Sequence, residues 1–267
     1  MADEDAILFE TDWAVAIITL NRPEKLNAVG PTTLASLEDM MERITRDDAI
    51  RSVVLTGKGR AFCAGADLST GVENQPLTTD MNERFPIRQD SGWPQAWFGA
   101  NIPKPVVCAI NGAAVGWGAE ITLTCDMRVA GEAARLGWVF ARRGLVTDMA
   151  AGPIILPRLV GMSQAARLLY SGEIVNAQEA LRIGLVDEVV PDGELLTRAV
   201  ALARHLSGGA PYSVAVHKRQ IYESLRKDPH EIYRANNREF ANCRSRDDFR
   251  EGVRSFLEKR EPDWTGH

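Results

Sequence analysis

Two glycine-rich turns hold the residues whose types and spacing indicate chemistry. The first spans residues 62–67 and ends in Ala-Gly-Ala-Asp; the second spans residues 111–120 and ends in Gly-Trp-Gly-Ala-Glu. Each follows a short run rich in β-branched residues, which is typical of a strand that ends in a tight turn. Because glycine lets the backbone approach a ligand closely, two such turns can direct N–H donors at one developing negative oxygen. The pattern predicts an enzyme that stabilises an oxyanion.

Two carboxylates accompany these turns. Glu120 falls in the first turn of a helix predicted to begin near residue 118, and Asp148 precedes an apolar run that leads to Leu159. Both have mostly apolar neighbours, which shift pKa values and let two acids divide acid and base roles. A purely structural role stays open for each residue. Glu120 could serve only as an acid that the helix dipole stabilises in the first turn, and Asp148 could serve only as the N-cap of the following helix.

The remaining polar residues favour structural roles. Asp67 closes the first turn and is expected to cap the following helix. All four histidines lie in the C-terminal part of the chain, away from both turns, which disfavours a Ser-His-Asp or Cys-His arrangement. The cysteines form no C-x-x-C pair, so we expect buried thiols in a reducing compartment and no metal site. No glycine loop matches a dinucleotide or phosphate-binding fingerprint.

Length and composition bound the classes of protein that the chain can form. At 267 residues and 45% hydrophobic, it can bury a large core. The net charge of −5 provides no basic field for nucleic acid or anionic lipid. The first residues lack the apolar core of a signal peptide, and the longest uncharged apolar stretch, residues 105–119, is too short to span a bilayer. We therefore expect a cytoplasmic protein without nucleic-acid or membrane partners.

The elements that must position these residues alternate between strand and helix. Strands are predicted over 14–20, 53–55, 106–110, 127–130 and 185–190, and helices from 31, from 118, over 176–183 and over 192–206. This alternation predicts an α/β fold. The segment 69–103, which contains Trp93 and Trp97, is expected to form a flap or short helices over an apolar pocket. We place a boundary near 207, between a core (1–207) and a C-terminal helical region (208–267) with helices over 211–226, 229–243 and 246–259.

An ordered set of motifs resembles the enoyl-CoA hydratase/isomerase (crotonase) superfamily over nearly the whole chain. The matching segments are residues 21–28, 62–68, 104–105, 110–114, 118–120, 125–126, 156–161, 177–186 and 256–260. The resemblance implies a spiral of ββα units followed by helices that form a homotrimer or a dimer of trimers. It also implies an acyl-CoA substrate whose thioester oxygen is held by the backbone N–H groups of Ala66 and Trp117. No cofactor is implied, since coenzyme A is part of the substrate.

The same resemblance assigns further residues. Contacts with CoA are expected for Arg22, Lys25, Ala28, Ala64 and Asp67, although Arg22 and Lys25 also suit ordinary surface positions. Trp138 and Phe140 are expected to line the acyl pocket, or to fill the core. Trp117 is bulkier than the small residue usual at its position.

One position departs from the family pattern. Typical hydratases carry a second glutamate about twenty residues after the one that matches Glu120, and here Phe140 stands in its place. Asp148 falls where some isomerases of the superfamily have their acid, so the predicted pair is Glu120 and Asp148. We expect hydration or double-bond isomerisation of an enoyl-CoA, with isomerisation favoured.

Other functions remain open from the sequence. A non-catalytic acyl-CoA-binding homologue fits the loss of the second glutamate at Phe140. Dehalogenation, ring opening and C–C bond cleavage are further reactions of the superfamily. An RNA-binding use of the fold is disfavoured by the acidic charge balance.

Overall fold

A computed structural model describes residues 6–67, 87–89 and 91–267 of the chain. Its strands are β1 (Ile7–Asp12), β2 (Val15–Leu20), β3 (Ser52–Gly57), β4 (Ala61–Cys63), β5 (Val106–Ile110), β6 (Ala113–Val115), β7 (Met127–Gly131), β8 (Arg135–Gly137), β9 (Ile174–Asn176) and β10 (Glu188–Val190). Its helices are α1 (Pro31–Arg46), α2 (Phe98–Asn101), α3 (Trp117–Thr124), α4 (Ala151–Ser171), α5 (Ala177–Arg182), α6 (Leu195–Leu206), α7 (Pro211–Glu223), α8 (Pro229–Arg244) and α9 (Asp247–Glu258). The predictions for residues 1–5, for a helix after Asp67 and for the first part of the 69–103 segment lie outside the described residues.

The strands form two sheets. The larger has the order β1-β2-β3-β5-β7-β10, in which only β1 and β2 are antiparallel. The smaller has the order β4-β6-β8-β9, in which β8 and β9 are antiparallel. The consecutive pairs β3–β4, β5–β6 and β7–β8 each place one strand in each sheet. This repetition confirms the α/β prediction and its succession of ββα units.

The core has two parts on opposite faces of the larger sheet. The main part lies between the two sheets and includes Ile18, Leu55 and Phe62, all fully buried. On the other face, α6 packs Ala199 and Ala203 against apolar side chains of β2, β3, β5 and β7. Strands covered on both faces are buried along their whole length, which explains why β3 and β5 are continuous, mostly apolar runs rather than alternating ones.

The C-terminal helices attach to this core through α7. Lys218 donates from Nζ to the Lys104 carbonyl at 2.8 Å and to Asp126 at 2.7 Å, and the Tyr222 hydroxyl donates to the Thr124 carbonyl at 2.7 Å. The helix α8 begins with a capping box at Asp228, the N-terminus that the sequence predicts. The three predicted C-terminal helices are confirmed within a few residues, while the division of the chain at 207 stays a prediction.

Several elements differ from the prediction. The strand predicted over 185–190 is reduced to Glu188–Val190, and the helix predicted from 192 begins at Leu195, after a single 3₁₀ turn over Asp192–Glu194. The short strands β4, β6, β8 and β9 were not predicted, because each has three residues, too few to show an alternating pattern. The six-residue strand β1 was not predicted either.

Candidate active site

The two glycine-rich turns meet at one edge of the smaller sheet. The strands β4 and β6 fall within these turns and are parallel neighbours, so the residues that follow their carboxyl ends, 64–67 and 116–120, lie side by side. A Cβ atom on Gly65 would lie 3.1 Å from the Val115 carbonyl oxygen and 3.8 Å from the Trp117 amide nitrogen. A Cβ on Gly118 would overlap the Cys63 carbonyl oxygen. Only glycine permits this approach, which explains its presence in both turns.

The backbone geometry leaves two amides of these turns available. A bridge to Val29 uses the Gly65 carbonyl and the Asp67 N–H, each at 2.8 Å, so the intervening Ala66 N–H is directed away from Val29. Trp117 is the first residue of α3, where an N–H has no acceptor within the helix. Within the described part of the chain neither N–H donates to a protein acceptor. The arrangement suits an oxyanion hole.

Glu120 lies beneath these turns in a fully buried position. Its Oε1 accepts hydrogen bonds from the Trp138 indole N–H at 2.8 Å and from the Gly152 amide at 2.9 Å. Its Oε2 accepts a hydrogen bond from the Ala151 amide at 2.9 Å. Ala151 and Gly152 begin α4, so a side chain from α3 stabilises the N-terminus of another helix.

The N-cap prediction for Asp148 is wrong. The helix α4 starts at Ala151, and its N-cap is Ala150, which has a φ of 56° and makes no side-chain capping bond. Glu120 takes the place of such a cap from across the core. The sequence could not predict that Glu120 stabilises the start of α4, because α3 and α4 come together only through tertiary packing.

Glu120 and Asp148 lie close enough for their charges to interact. Burial raises the pKa of Glu120 to about 8, with a further increase from the negative charge of Asp148, while the three hydrogen bonds lower it. Asp148 itself is half-buried. The raised pKa favours the protonated form of Glu120 at neutral pH, while the assignment of Glu120 and Asp148 as a catalytic pair stays a prediction.

Two aromatic residues lie in different parts of the site. Phe140 is half-buried, and its Cζ lies 3.9 Å from the position that a Cβ on Gly116 would occupy. An apolar ring therefore lies beside the second glycine-rich turn. Trp138 is fully buried and bonds to Glu120. Their predicted role in lining the acyl pocket stays a prediction.

The segment expected to bind CoA is attached to the first glycine turn. Asp67, which is buried, accepts hydrogen bonds from Arg22 at 3.2 Å and from Lys25 at 3.1 Å. Arg22 also donates to the Ala28 carbonyl at 2.9 Å, and the Ala64 amide donates to the Leu26 carbonyl at 3.0 Å. The five residues assigned to CoA thus lie together, while their contact with CoA stays a prediction.

The thiol nearest the site is unsuited to nucleophilic chemistry. Burial raises the pKa of Cys63 to about 12, so the thiol stays protonated at physiological pH. Cys108 and Cys125 are also buried thiols. Among the described residues there is no cluster of three or more side chains suited to a metal ion. Of the helices in the part of the chain that the structure describes, none is long and apolar enough to cross a membrane.

Trp97 is a residue of the site that sequence reasoning missed. Its indole N–H donates to the Met149 carbonyl at 2.7 Å, directly beside Asp148. The sequence shows only an aromatic residue in a segment of weak periodicity. Its contact depends on a partner 52 residues away in the chain.

Two available backbone donors beside a pair of interacting carboxylates are the arrangement expected of an enzyme that stabilises an oxyanion and uses acid–base chemistry. A family model for enoyl-CoA hydratase/isomerase matches residues 10–267. The chain is 34% identical over 255 residues to the short-chain-enoyl-CoA hydratase of Clostridium acetobutylicum, with 95% of each chain covered. It is 36% identical over 267 residues to the 1,2-epoxyphenylacetyl-CoA isomerase of Escherichia coli, with 97% of this chain and 98% of that protein covered.

Solved structures agree with these matches. An enoyl-CoA hydratase from Bacillus anthracis superimposes with a TM-score of 0.89 and 32% identity, over 98% of this chain and 100% of that one. The chain belongs to the enoyl-CoA hydratase/isomerase family. The predictions of the superfamily, of the crotonase-like architecture and of an enzyme in the lyase or isomerase class are confirmed.

Proposed function

We propose that this enzyme shifts the double bond of an enoyl-CoA through a thioester enolate, and that isomerisation rather than hydration is its main reaction. The supporting observation is the pair formed by Glu120 and Asp148, in which one acid is fully buried and the other half-buried, beside the available amides of Ala66 and Trp117. Environments that differ in this way move the pKa values of two carboxyls apart, so that one can serve as the acid and the other as the base.

The proposed reaction begins with the thioester oxygen bound by the N–H groups of Ala66 and Trp117. The Asp148 carboxylate removes a proton from the carbon next to the double bond, and the electron pair moves onto the thioester oxygen as the enolate forms. The two amides stabilise that charge without reorganisation. Return of a proton to the other end of the allylic system, from Asp148 or from Glu120, completes the shift, so atoms and electrons balance.

Hydration needs a further group to hold and activate a water molecule opposite the acid. Phe140, at the position where typical hydratases place that carboxylate, offers an apolar ring beside Gly116. This apolar ring favours proton transfer within the substrate over water addition.

The test is a panel of enoyl-CoA thioesters incubated in heavy water, followed by product analysis. We expect shifted double bonds: deuterium at the carbon that receives the proton would indicate donation from Glu120 or exchange at Asp148 before transfer, and retained protium would indicate direct return by Asp148. The variant Asp148→Asn should lower kcat roughly 100-fold or more, since general acid–base catalysis contributes about that much. Asp48→Asn, in an exposed position, is the matched control. Accumulation of 3-hydroxyacyl-CoA as the main product would show a hydratase, and thioester binding without turnover would show a binder.

We also propose that the C-terminal region joins copies of this chain into a homotrimer or a dimer of trimers. A groove of about 470 Å³ runs along α7 and α9. Apolar side chains beside it are exposed, notably Phe256 at 82% and Leu257 at 73%. Monomers rarely expose contiguous apolar surface of this kind. Light scattering should give a multiple of three chains, and Phe256→Glu should lower that number.

We propose further that the reaction uses no cofactor apart from the coenzyme A of its substrate and that the enzyme acts in the cytoplasm. The amides and carboxylates of the site suffice for each step described above. Exhaustive dialysis against a chelator should leave kcat unchanged, and cell fractionation tests the location. A loss of activity that a metal ion restores would contradict the cofactor proposal.

A further inference from the structure

The loop that carries Asp148 is held at two points by side chains from distant segments. On one side, Trp97 Nε1 donates to the Met149 carbonyl oxygen at 2.7 Å. On the other side, the amides of Ala151 and Gly152 donate to Glu120 at 2.9 Å. Between these points Ala150 adopts a φ of 56°, a left-handed conformation that costs free energy for a residue with a side chain. The hydrogen bonds from Trp97 and to Glu120 therefore help to hold this loop in its conformation.

Trp97 is itself held in one position. Its side chain is fully buried, and its ring stacks on Trp93 with a centroid distance of 4.8 Å and an interplanar angle of 6°. Two neighbours of the Trp93 ring come from α7 and the residues after it: Tyr222 packs edge-on at 6.2 Å, and the Arg226 guanidinium lies 4.9 Å from the ring. An indole packed in this way can fix the direction of its N–H.

We propose that Trp97 is a positioning residue of the reaction: its indole N–H holds the Met149 carbonyl and thereby sets where the Asp148 carboxylate stands relative to the bound thioester. The inference rests on the proposed function, because it assumes that Asp148 moves the proton. A displacement of about 1 Å in a reacting group can cost roughly 100-fold in rate. One hydrogen bond to the neighbouring peptide is therefore enough to control catalysis.

The alternative is that Trp97 only fills the core. Trp97→Phe removes the indole N–H and part of the stack, and Trp93→Phe, the matched control, weakens the same stack but leaves the bond to Met149. If the N–H positions Asp148, Trp97→Phe should lower kcat about tenfold or more while KM changes less than about threefold. The control should lose less than about threefold in kcat.

A double-mutant cycle separates positioning through Asp148 from a general loss of packing. In the Asp148→Asn background, the further loss from Trp97→Phe should fall below about twofold, because the group that Trp97 positions is gone. The pH profile gives a second readout. The negative charge of Asp148 contributes to the raised pKa of Glu120, and the nearby Cys63 thiol stays protonated. Release of Asp148 should therefore move the alkaline limb of kcat to lower pH in Trp97→Phe and not in Trp93→Phe.

Replacement of Trp97 by benzothienylalanine keeps the ring shape and removes only the N–H, so the test does not depend on the stability of Trp97→Phe. Equal losses in Trp97→Phe and Trp93→Phe, full activity with benzothienylalanine, or an undiminished effect in the Asp148→Asn background would each overturn the positioning role. Wild-type activity of Asp148→Asn alone would instead overturn the proposed function.

Discussion

Trp138 donates its indole N–H to Glu120 Oε1 at 2.8 Å, in a fully buried pair that links α3 to the segment after β8. The same carboxyl accepts from the first two amides of α4. Glu120 therefore connects α3 with the segment after β8 and with the start of α4, and it is also a candidate acid. Changes around it should affect stability and pH dependence together.

Trp138→Phe should separate these two effects. The bond from Trp138 lowers the pKa of Glu120, so its loss should raise that pKa further and move the alkaline limb of kcat to higher pH. The smaller ring should also lower the free energy of unfolding by about 1–3 kcal/mol. Rate measurements from pH 6 to 10 and urea unfolding test the two parts. An unmoved alkaline limb would show that Glu120 does not govern it.

Glu120 should also make stability depend on pH. Its pKa is about 8 in the folded chain against an ordinary 4.5, so between these values the unfolded chain has lost a proton that the folded chain retains. This group should therefore make the free energy of unfolding fall as pH rises through that window, by up to about 1.4 kcal/mol per pH unit.

The variant Glu120→Gln isolates this contribution, because it carries no titrating group. Its amide NH₂ cannot accept from all three donors, so it should be less stable than wild type at low pH by about 1–3 kcal/mol. The difference between the two proteins should shrink as pH rises from 5 to 8. Parallel stability curves would contradict the raised pKa of Glu120.

Gly118→Ala should disrupt the contact between the two glycine turns. The added methyl group would overlap the Cys63 carbonyl, and backbone at that point cannot yield as a flexible side chain can. We expect a loss of about 1–3 kcal/mol in unfolding free energy and at least tenfold in kcat/KM, since one oxyanion donor is worth 100-fold or more. Gly193→Ala, where a Cβ would meet nothing within 4 Å, is the control.

Lys25→Ala tests the site assigned to the CoA nucleotide. Lys25 pairs with Asp67 while its side chain remains 45% exposed, so it can also reach a phosphate. We expect KM for CoA thioesters to rise about threefold or more, with KM for the matching pantetheine thioesters unchanged because they lack the nucleotide. Lys227→Ala, which alters an ion pair on α7, is the control. Equal changes with both thioesters would place Lys25 outside the nucleotide site.

The sequence predicted the features that depend on local pattern. Apolar periodicity located α1 and the three C-terminal helices, and glycine spacing located both turns of the site. The resemblance to a known superfamily, carried by motifs along the whole chain, predicted the family that the comparisons confirm. These signals are readable because each arises from residues close together in the chain.

Contacts between distant segments could not be predicted in this way. From its neighbours, Asp148 looked like the N-cap of α4, yet the tertiary structure assigns the stabilisation of that helix to Glu120. Trp97 showed no sign of its bond to Met149. The sequence by itself determined the α/β class, the glycine turns and the candidate acids. Only the tertiary structure decided which carboxyl is buried and which donors surround it, because desolvation and hydrogen bonding depend on every segment that packs around a group.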